Sequence, residues 1–497
     1  MSAALPEWLP AADASPELCA GLDALAGGRL GEAAAHLKAA PETATEPQAA
    51  YRLGVAQSLS GDPQSAIATW RRTLRLDAAH AAALYDLALA CVTVGDLPQA
   101  ALAFSRLLDL DPEHAEGRFN FGNLLYRMGR TEAAVAMYAP LTEGDDPPHG
   151  ILVNLGRALR RLGRLAEADA CYRRALLADP GDHFTHWNRS HVLFLSGRWA
   201  DGFAAWEHRL AIGMGPPVRP NLPEWQAGPL PARLLAIGEQ GHGDALQCLR
   251  YLPLLAERGC RPALALHPAL APLARELLPP EIPVMPFEAA ETAAADAWAP
   301  LFSLPHRMGL PAPEAAPEPA ASPAFAAGIA AIRAAAPDLG PHPRIGLVWA
   351  GNPAHDNDAW RSLPLAALAP LIAARPDAAW ISLQTGEAAA QAVAMPQLRT
   401  LDPPADFRVT AQRAAALDLM ISVDTAAAHL AATLGVRTWI LLAAEPDWRW
   451  GPDRSTTPWY AEARLFRQQA LGDWADPVAR AADALATTRF PIGTSPR

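Results

Sequence analysis

Between about residues 15 and 210 the apolar positions form helical patterns that come in pairs, and each pair is split by a glycine. Gly27, Gly61, Gly95, Gly129, Gly163 and Gly197 stand 34 residues apart. A residue without a Cβ enters positive φ at little cost, so each glycine is predicted to close the first helix of a unit and turn the chain into the second. Gly54, Ala88, Gly122 and Gly156 lie seven residues before the turns, and Ala66, Ala100, Ala134 and Ala168 five after them. Small residues there let paired helices approach closely. Trp70, Phe104, Tyr138, Tyr172 and Trp206 come nine residues after the turns and are expected to fill the space between neighbouring hairpins. Pro112 and Pro180 end second helices, since proline cannot continue the hydrogen-bond ladder.

The period, the small-residue columns, the aromatic column and the prolines resemble the tetratricopeptide repeat, a helix-turn-helix unit of 34 residues. The resemblance implies an α-solenoid over residues 15–210, with the unit around Gly27 as a cap, whose concave face takes an extended peptide or a partner helix.

After that the pattern changes. Ala211 to Pro231 is too rich in Pro and Gly for helix or central strand and reads as a linker. From 232 onward, short apolar runs alternate with helical stretches, which is the α/β signature. A first half, 232–310, has strands at Arg233–Ile237 and Ala263–His267 around a helix from Asp244 to Glu257. Residues 311–343 form a linker dense in Pro and Ala with one helix inside it. A second half, 344–490, has strands at Arg344–Trp349, Ala379–Leu383, Leu417–Val423 and Thr438–Leu442. Two Rossmann-like halves place a cleft at the carboxyl ends of their strands.

A net charge of -11 gives no electrostatic reason to expect nucleic acid or an anionic membrane as partner. Five widely spaced cysteines with no C-x-x-C pair signal neither a disulfide framework nor a zinc site. The N-terminus lacks a basic n-region and an apolar h-region, and no stretch reaches the length of a membrane span, so a cytoplasmic location is expected.

Three loops have residue types suited to chemistry. The first, Gly238-Glu239-Gln240-Gly241-His242-Gly243-Asp244, follows a strand and opens a helix. Gly241 and Gly243 let the backbone approach a ligand, or the loop is a tight turn with Asp244 capping the helix. In the second, Asp424-Thr425 precede a helix on which His429 lies four residues after Thr425, so both face one way. Asp424 or Thr425 is equally a plain N-cap, and His429 a packed residue. The third contains Asn352, Asp356, Asp358 and Arg361; its guanidinium suits phosphate oxygens, whereas the acidic pair is too ordinary to assign to a metal. The aromatic segment Asp447-Trp448-Arg449-Trp450 is read as packing.

Together, EQGHGDALQCLRYLPLL at 239–255 and ISVDTAAAHLAATLG at 421–435 resemble the bacterial heptosyltransferase-like glycosyltransferases. With the repeat array the chain is similar to tetratricopeptide proteins having such a C-terminal half, the flagellin glycosyltransferases among them, and more distantly to O-linked N-acetylglucosamine transferase. The resemblance implies a GT-B fold, acceptor side first and nucleotide-sugar side second. It implies an inverting, metal-independent transfer of sugar to a hydroxyl, with no cofactor beyond the nucleotide-sugar donor. The acceptor is a protein, such as flagellin, held by the repeats. It further implies that Asp244 is the base, that His242 assists proton transfer or contacts the acceptor, and that Asn352, Arg361, Asp424, Thr425 and His429 serve the donor. Ala426 stands where the pattern has glycine. The rival expectation is a non-catalytic adaptor whose α/β half has lost its chemistry.

Overall fold

The computed structural model describes residues 14–490, apart from 145, 227, 240, 356 and 446. These residues divide into two compact units between Ala178 and Asp179.

The first unit consists of five helical hairpins. They are α1 (Pro16–Ala26) with α2 (Leu30–Ala39), α3 (Pro47–Leu59) with α4 (Pro63–Leu76), and α5 (Ala81–Val94) with α6 (Leu97–Leu110). The series continues with α7 (Ala115–Arg127) and α8 (Thr131–Tyr138), then α9 (His149–Arg161) and α10 (Leu165–Ala178). From Gly61 to Gly163 the expected glycines do sit at positive φ, between +72° and +87°. In the first hairpin the left-handed position belongs to Gly28, at φ 71°, and Gly27 merely caps α1 at φ -80°.

The small-residue column acts within hairpins as much as between helices in general. A Cβ on Gly54 would lie 2.4 Å from the Trp70 indole nitrogen, and one on Gly122 2.5 Å from Tyr138. Each glycine therefore receives the aromatic ring of its own hairpin. Successive first helices are tied by side chains about one period apart: Tyr51 donates to Asp86 at 2.8 Å, and Asn120 to the Tyr85 hydroxyl at 2.9 Å.

The second unit begins at Asp179, ahead of the end of the repeat pattern near 210. It includes a last hairpin, α11 (His183–Leu195) and α12 (Trp199–Trp206), because the hairpin's aromatic face belongs to the α/β core. Phe194 stacks on Trp448 with centroids 4.3 Å apart, and Trp206 packs against Phe302. Below this contact runs a buried ion network. Arg209, fully buried, pairs with Glu239 at 2.6 Å and donates to Ser303, while Arg307 pairs with Glu207 and with Glu224.

Four parallel strands make the first sheet, in the order β3-β2-β1-β4: β1 (Arg233–Ile237), β2 (Arg261–Leu266), β3 (Val284–Pro286) and β4 (Ala297–Pro300). Between β1 and β2 the expected single helix is two, α13 (His242–Cys248) and α14 (Tyr251–Glu257). Pro253 has no N–H to give the Leu249 carbonyl, so the ladder breaks there. Helices α15 (Ala271–Leu277), α16 (Leu304–Arg307) and α17 (Pro323–Ala334) follow, the last inside the expected linker.

Six parallel strands make the second sheet, in the order β10-β9-β8-β5-β6-β7. They are β5 (Arg344–Val348), β6 (Ala379–Ser382), β7 (Leu398–Arg399), β8 (Leu419–Val423), β9 (Thr438–Leu442) and β10 (Ala463–Arg467), with helices α18 (Asp358–Arg361), α19 (Ala369–Ala374), α20 (Phe407–Ala415), α21 (Ala426–Thr433) and α22 (Ala475–Thr487). Every residue of β8 and β9 is buried, as strands covered by helices on both faces must be. Among the described residues no helix is long and apolar enough to cross a membrane.

Candidate functional site

In an open parallel sheet, the crevice lies where neighbouring strands send their connections to opposite sides. The first sheet reverses between β1 and β4, and the second between β5 and β8. The loops leaving those four strands contain nearly all of the residues singled out from sequence.

At the first reversal, the loop after β1 is fastened to the loop after β4: the Phe302 N–H donates to Glu239 at 2.9 Å, and Arg209 holds the same carboxylate. Gln240 lies outside the described residues. Gly241 precedes α13, and its N–H donates to Asp244 Oδ2 at 2.9 Å, so Asp244 does cap its own helix. His242 is the first residue of that helix. Its half-buried ring meets His267 and Phe407 edge-on, each at 4.9 Å between centroids. Burial, then the neighbouring His267, holds its pKa below the ordinary histidine value.

At the second reversal, Thr425 takes the N-cap position of α21 without a side-chain capping bond; its hydroxyl lies 3.0 Å from that of Ser422. Asp424 is half-buried, and burial together with the charge of Asp447 pushes its pKa up to about 6. Arg361 belongs to the same group of charges and pulls Asp424 the other way. The Arg361 Nε donates to Asp358 at 3.1 Å, with its guanidinium laid against Gly351, where an added Cβ would sit 2.6 Å away. Asp358 is thereby engaged by Arg361 and Ser362, and its sequence partner Asp356 lies outside the described residues. Asn352 is exposed and spends its side-chain oxygen on the Ala354 N–H, a turn-forming role.

The two reversals meet. A Cβ on Gly243 would lie 2.6 Å from the His429 ring, so α13 touches α21 where only glycine fits. His429 is 5% exposed, bonded through Nδ1 to the Tyr460 hydroxyl at 3.0 Å and packed near Trp450. Burial and the nearby Arg449 push its pKa down to about 3. The ring thus takes the packed position that the sequence left open beside a donor contact. It is a packed residue at the seam.

Arg449 is the residue that sequence reasoning missed. Its Nη2 donates to Asp244 at 2.5 Å, its Nη1 to Asp447 at 2.7 Å and its Nε to Gln247 at 2.6 Å. The guanidinium also lies over the Trp448 ring at 4.3 Å. Although burial opposes it, Arg449 and its hydrogen bonds hold the Asp447 pKa below the ordinary value. Trp448 and Trp450 are buried, as their reading as packing required, and they concealed the arginine set between them. The available signal was Asp447 two residues before it, a spacing that lets one side chain bond the other.

The repeats are those of a known class. Residues 51–115, 119–183 and 153–216 match the family model described as Tetratricopeptide repeat, and the chain carries such repeats ahead of its parallel sheets. A more particular relative is Protein FlbA of Caulobacter vibrioides, 26% identical over an alignment 312 positions long that covers 57% of this chain and 52% of that protein. The chain thus spans about half the length of the curated relative it matches. Among solved structures, a tetratricopeptide repeat protein from Parabacteroides merdae is 20% identical over 39% of this chain and 78% of its own, with a TM-score of 0.35. YrrB, described as a tetratricopeptide protein with an unusual peptide-binding site, is 16% identical over 39% of this chain and 92% of its own, with a TM-score of 0.33.

Proposed function

We propose that the chain is a GT-B glycosyltransferase that moves a sugar, with inversion and without a metal, from a nucleotide sugar to a hydroxyl of a protein recruited by the repeat array. The observation that supports this best is the meeting of two strand reversals, which brings the turn holding His242 and Asp244 to the turn holding Asp424 and Thr425. In this reading the donor phosphate lies at the β5/β8 reversal. Arg361 and the amino end of α21 then supply positive potential where charge develops on the leaving group. The acceptor hydroxyl approaches the start of α13, where its proton is taken up. The repeats serve to raise the local concentration of a polypeptide acceptor.

One observation favours a non-catalytic adaptor instead: both oxygens of Asp244 are already engaged, by Gly241 and by Arg449. A panel of UDP, GDP, ADP and CMP sugars separates the two readings. The transferase raises its melting temperature with at least one donor and hydrolyses it slowly. An adaptor does neither. Mass spectrometry of flagellin and other surface proteins, from cells with and without the gene, then identifies the acceptor by a lost glycan mass.

A further inference from the structure

We propose that His242, rather than Asp244, takes the proton from the acceptor hydroxyl; the assignment rests on the transferase reading above. Asp244 is held from two sides. Its Oδ2 caps the helix through the Gly241 N–H, and its Oδ1 receives the buried Arg449, whose other nitrogens hold Asp447 and Gln247. Protonation of that carboxylate would remove the charge from its bond to a guanidinium that is 7% exposed, leaving Asp447 as the one carboxylate that balances Arg449 there.

His242 lies two residues earlier under none of these constraints. Among the described residues no hydrogen bond occupies either ring nitrogen, yet the ring is oriented by His267 and Phe407. His267 cannot easily replace it, because its Nδ1 already accepts the Ala269 N–H at 3.2 Å. The next residue, Gly243, is the point where α13 touches α21, so the imidazole stands beside the seam of the two sheets. Burial and the neighbouring His267 disfavour the imidazolium, whereas the Asp244 carboxylate favours it.

The step balances as follows. The acceptor oxygen bonds to the anomeric carbon as the bond from that carbon to the donor phosphate oxygen breaks. The electron pair departs with the nucleotide, and the hydroxyl proton moves to the unprotonated ring nitrogen of His242, which later releases it to water.

The test uses the full chain and whichever nucleotide sugar of the panel is turned over. His242→Ala should lower turnover by about 100-fold or more while the donor still raises the melting temperature. Added imidazole should restore part of the rate. With substituted imidazoles, the acid limb of the pH profile should follow the pKa of the added base, which a merely structural role would not produce. Asp244→Asn should lose less than His242→Ala and keep the acid limb of the parent. The assignment is overturned if His242→Ala keeps the parent rate within twofold, or if imidazole restores nothing while Asp244→Asn removes the acid limb. If the parent chain turns over no donor, the transferase reading and this assignment fall together.

Discussion

At the scale of single residues, two groups at the seam respond to pH in opposite senses. His429 titrates near 6.5 when unfolded and near 3 when folded, so its environment contributes stability that is complete above 6.5 and is lost as pH falls below it. Asp424, at about 6 when folded against 3.8 unfolded, contributes stability that grows as pH falls from 6 towards 3.8. The parent chain should therefore show a shallow change in melting temperature between pH 6 and 4. Asp424→Asn should turn it into a clear loss towards acid, and His429→Gln should turn it into a gain. Identical curves for all three would place neither group in the charge cluster. Arg449 is a matter of magnitude: Arg449→Ala leaves Asp244 and Asp447 facing each other without their cation, at a cost of ~3–5 kcal/mol. Equilibrium denaturation checks this, and a loss below about 1 kcal/mol would mean that water serves those carboxylates equally well.

At the scale of elements, a hairpin is specified by the fit of one glycine to one ring. Replacing Gly122 by alanine favours the helix by about 1 kcal/mol in propensity. The new Cβ, however, meets Tyr138, whose ring is buried and whose hydroxyl is held by Asn123 at 2.7 Å. The clash should win, destabilising the first unit by ~1–3 kcal/mol in a thermal or denaturant melt. Gly150→Ala, where nothing lies near the added Cβ, is the control. Columns of this kind are readable in a sequence because the partners lie a fixed 16 residues apart, as Gly54 and Trp70 do. Strands β1 and β9 were readable too, being apolar runs bounded by turns. Strands β3, β4, β7 and β10 were not: the first three have only two to four residues, and β10 carries arginines at Arg464 and Arg467 that break its apolar run. The candidate site was half legible. The loops after β1, β5 and β8 announced themselves through glycine, carboxylate and arginine. Arg449 and Asp244 are 205 residues apart, and Arg209 and Glu239 pair across a linker, so no local spacing signals either contact.

For the whole molecule, the division after Ala178 rather than 210 has a practical outcome. A chain beginning at Asp179 keeps Phe194, Trp206 and Arg209, which cover Trp448 and neutralise Glu239. One beginning at 211 exposes those indoles and leaves a buried carboxylate without its guanidinium, a loss of several kcal/mol from the ion pair alone. The first fragment should give a cooperative melt and a native near-ultraviolet spectrum. The second should bind a hydrophobic dye or aggregate. If both behave alike, the last hairpin belongs functionally to the repeats.

The contact between Gly243 and His429 also bears on how such a chain can vary over time. A space with no room for one methyl group couples the histories of two positions on different helices, α13 and α21. A descendant that acquires alanine at 243 is disabled unless the side chain at 429 has already become smaller. A smaller residue at 429, arriving first, opens a void that alanine at 243 would then fill. Only one order of change is open, so in related chains a side chain at the first position should appear only where the second has lost its ring.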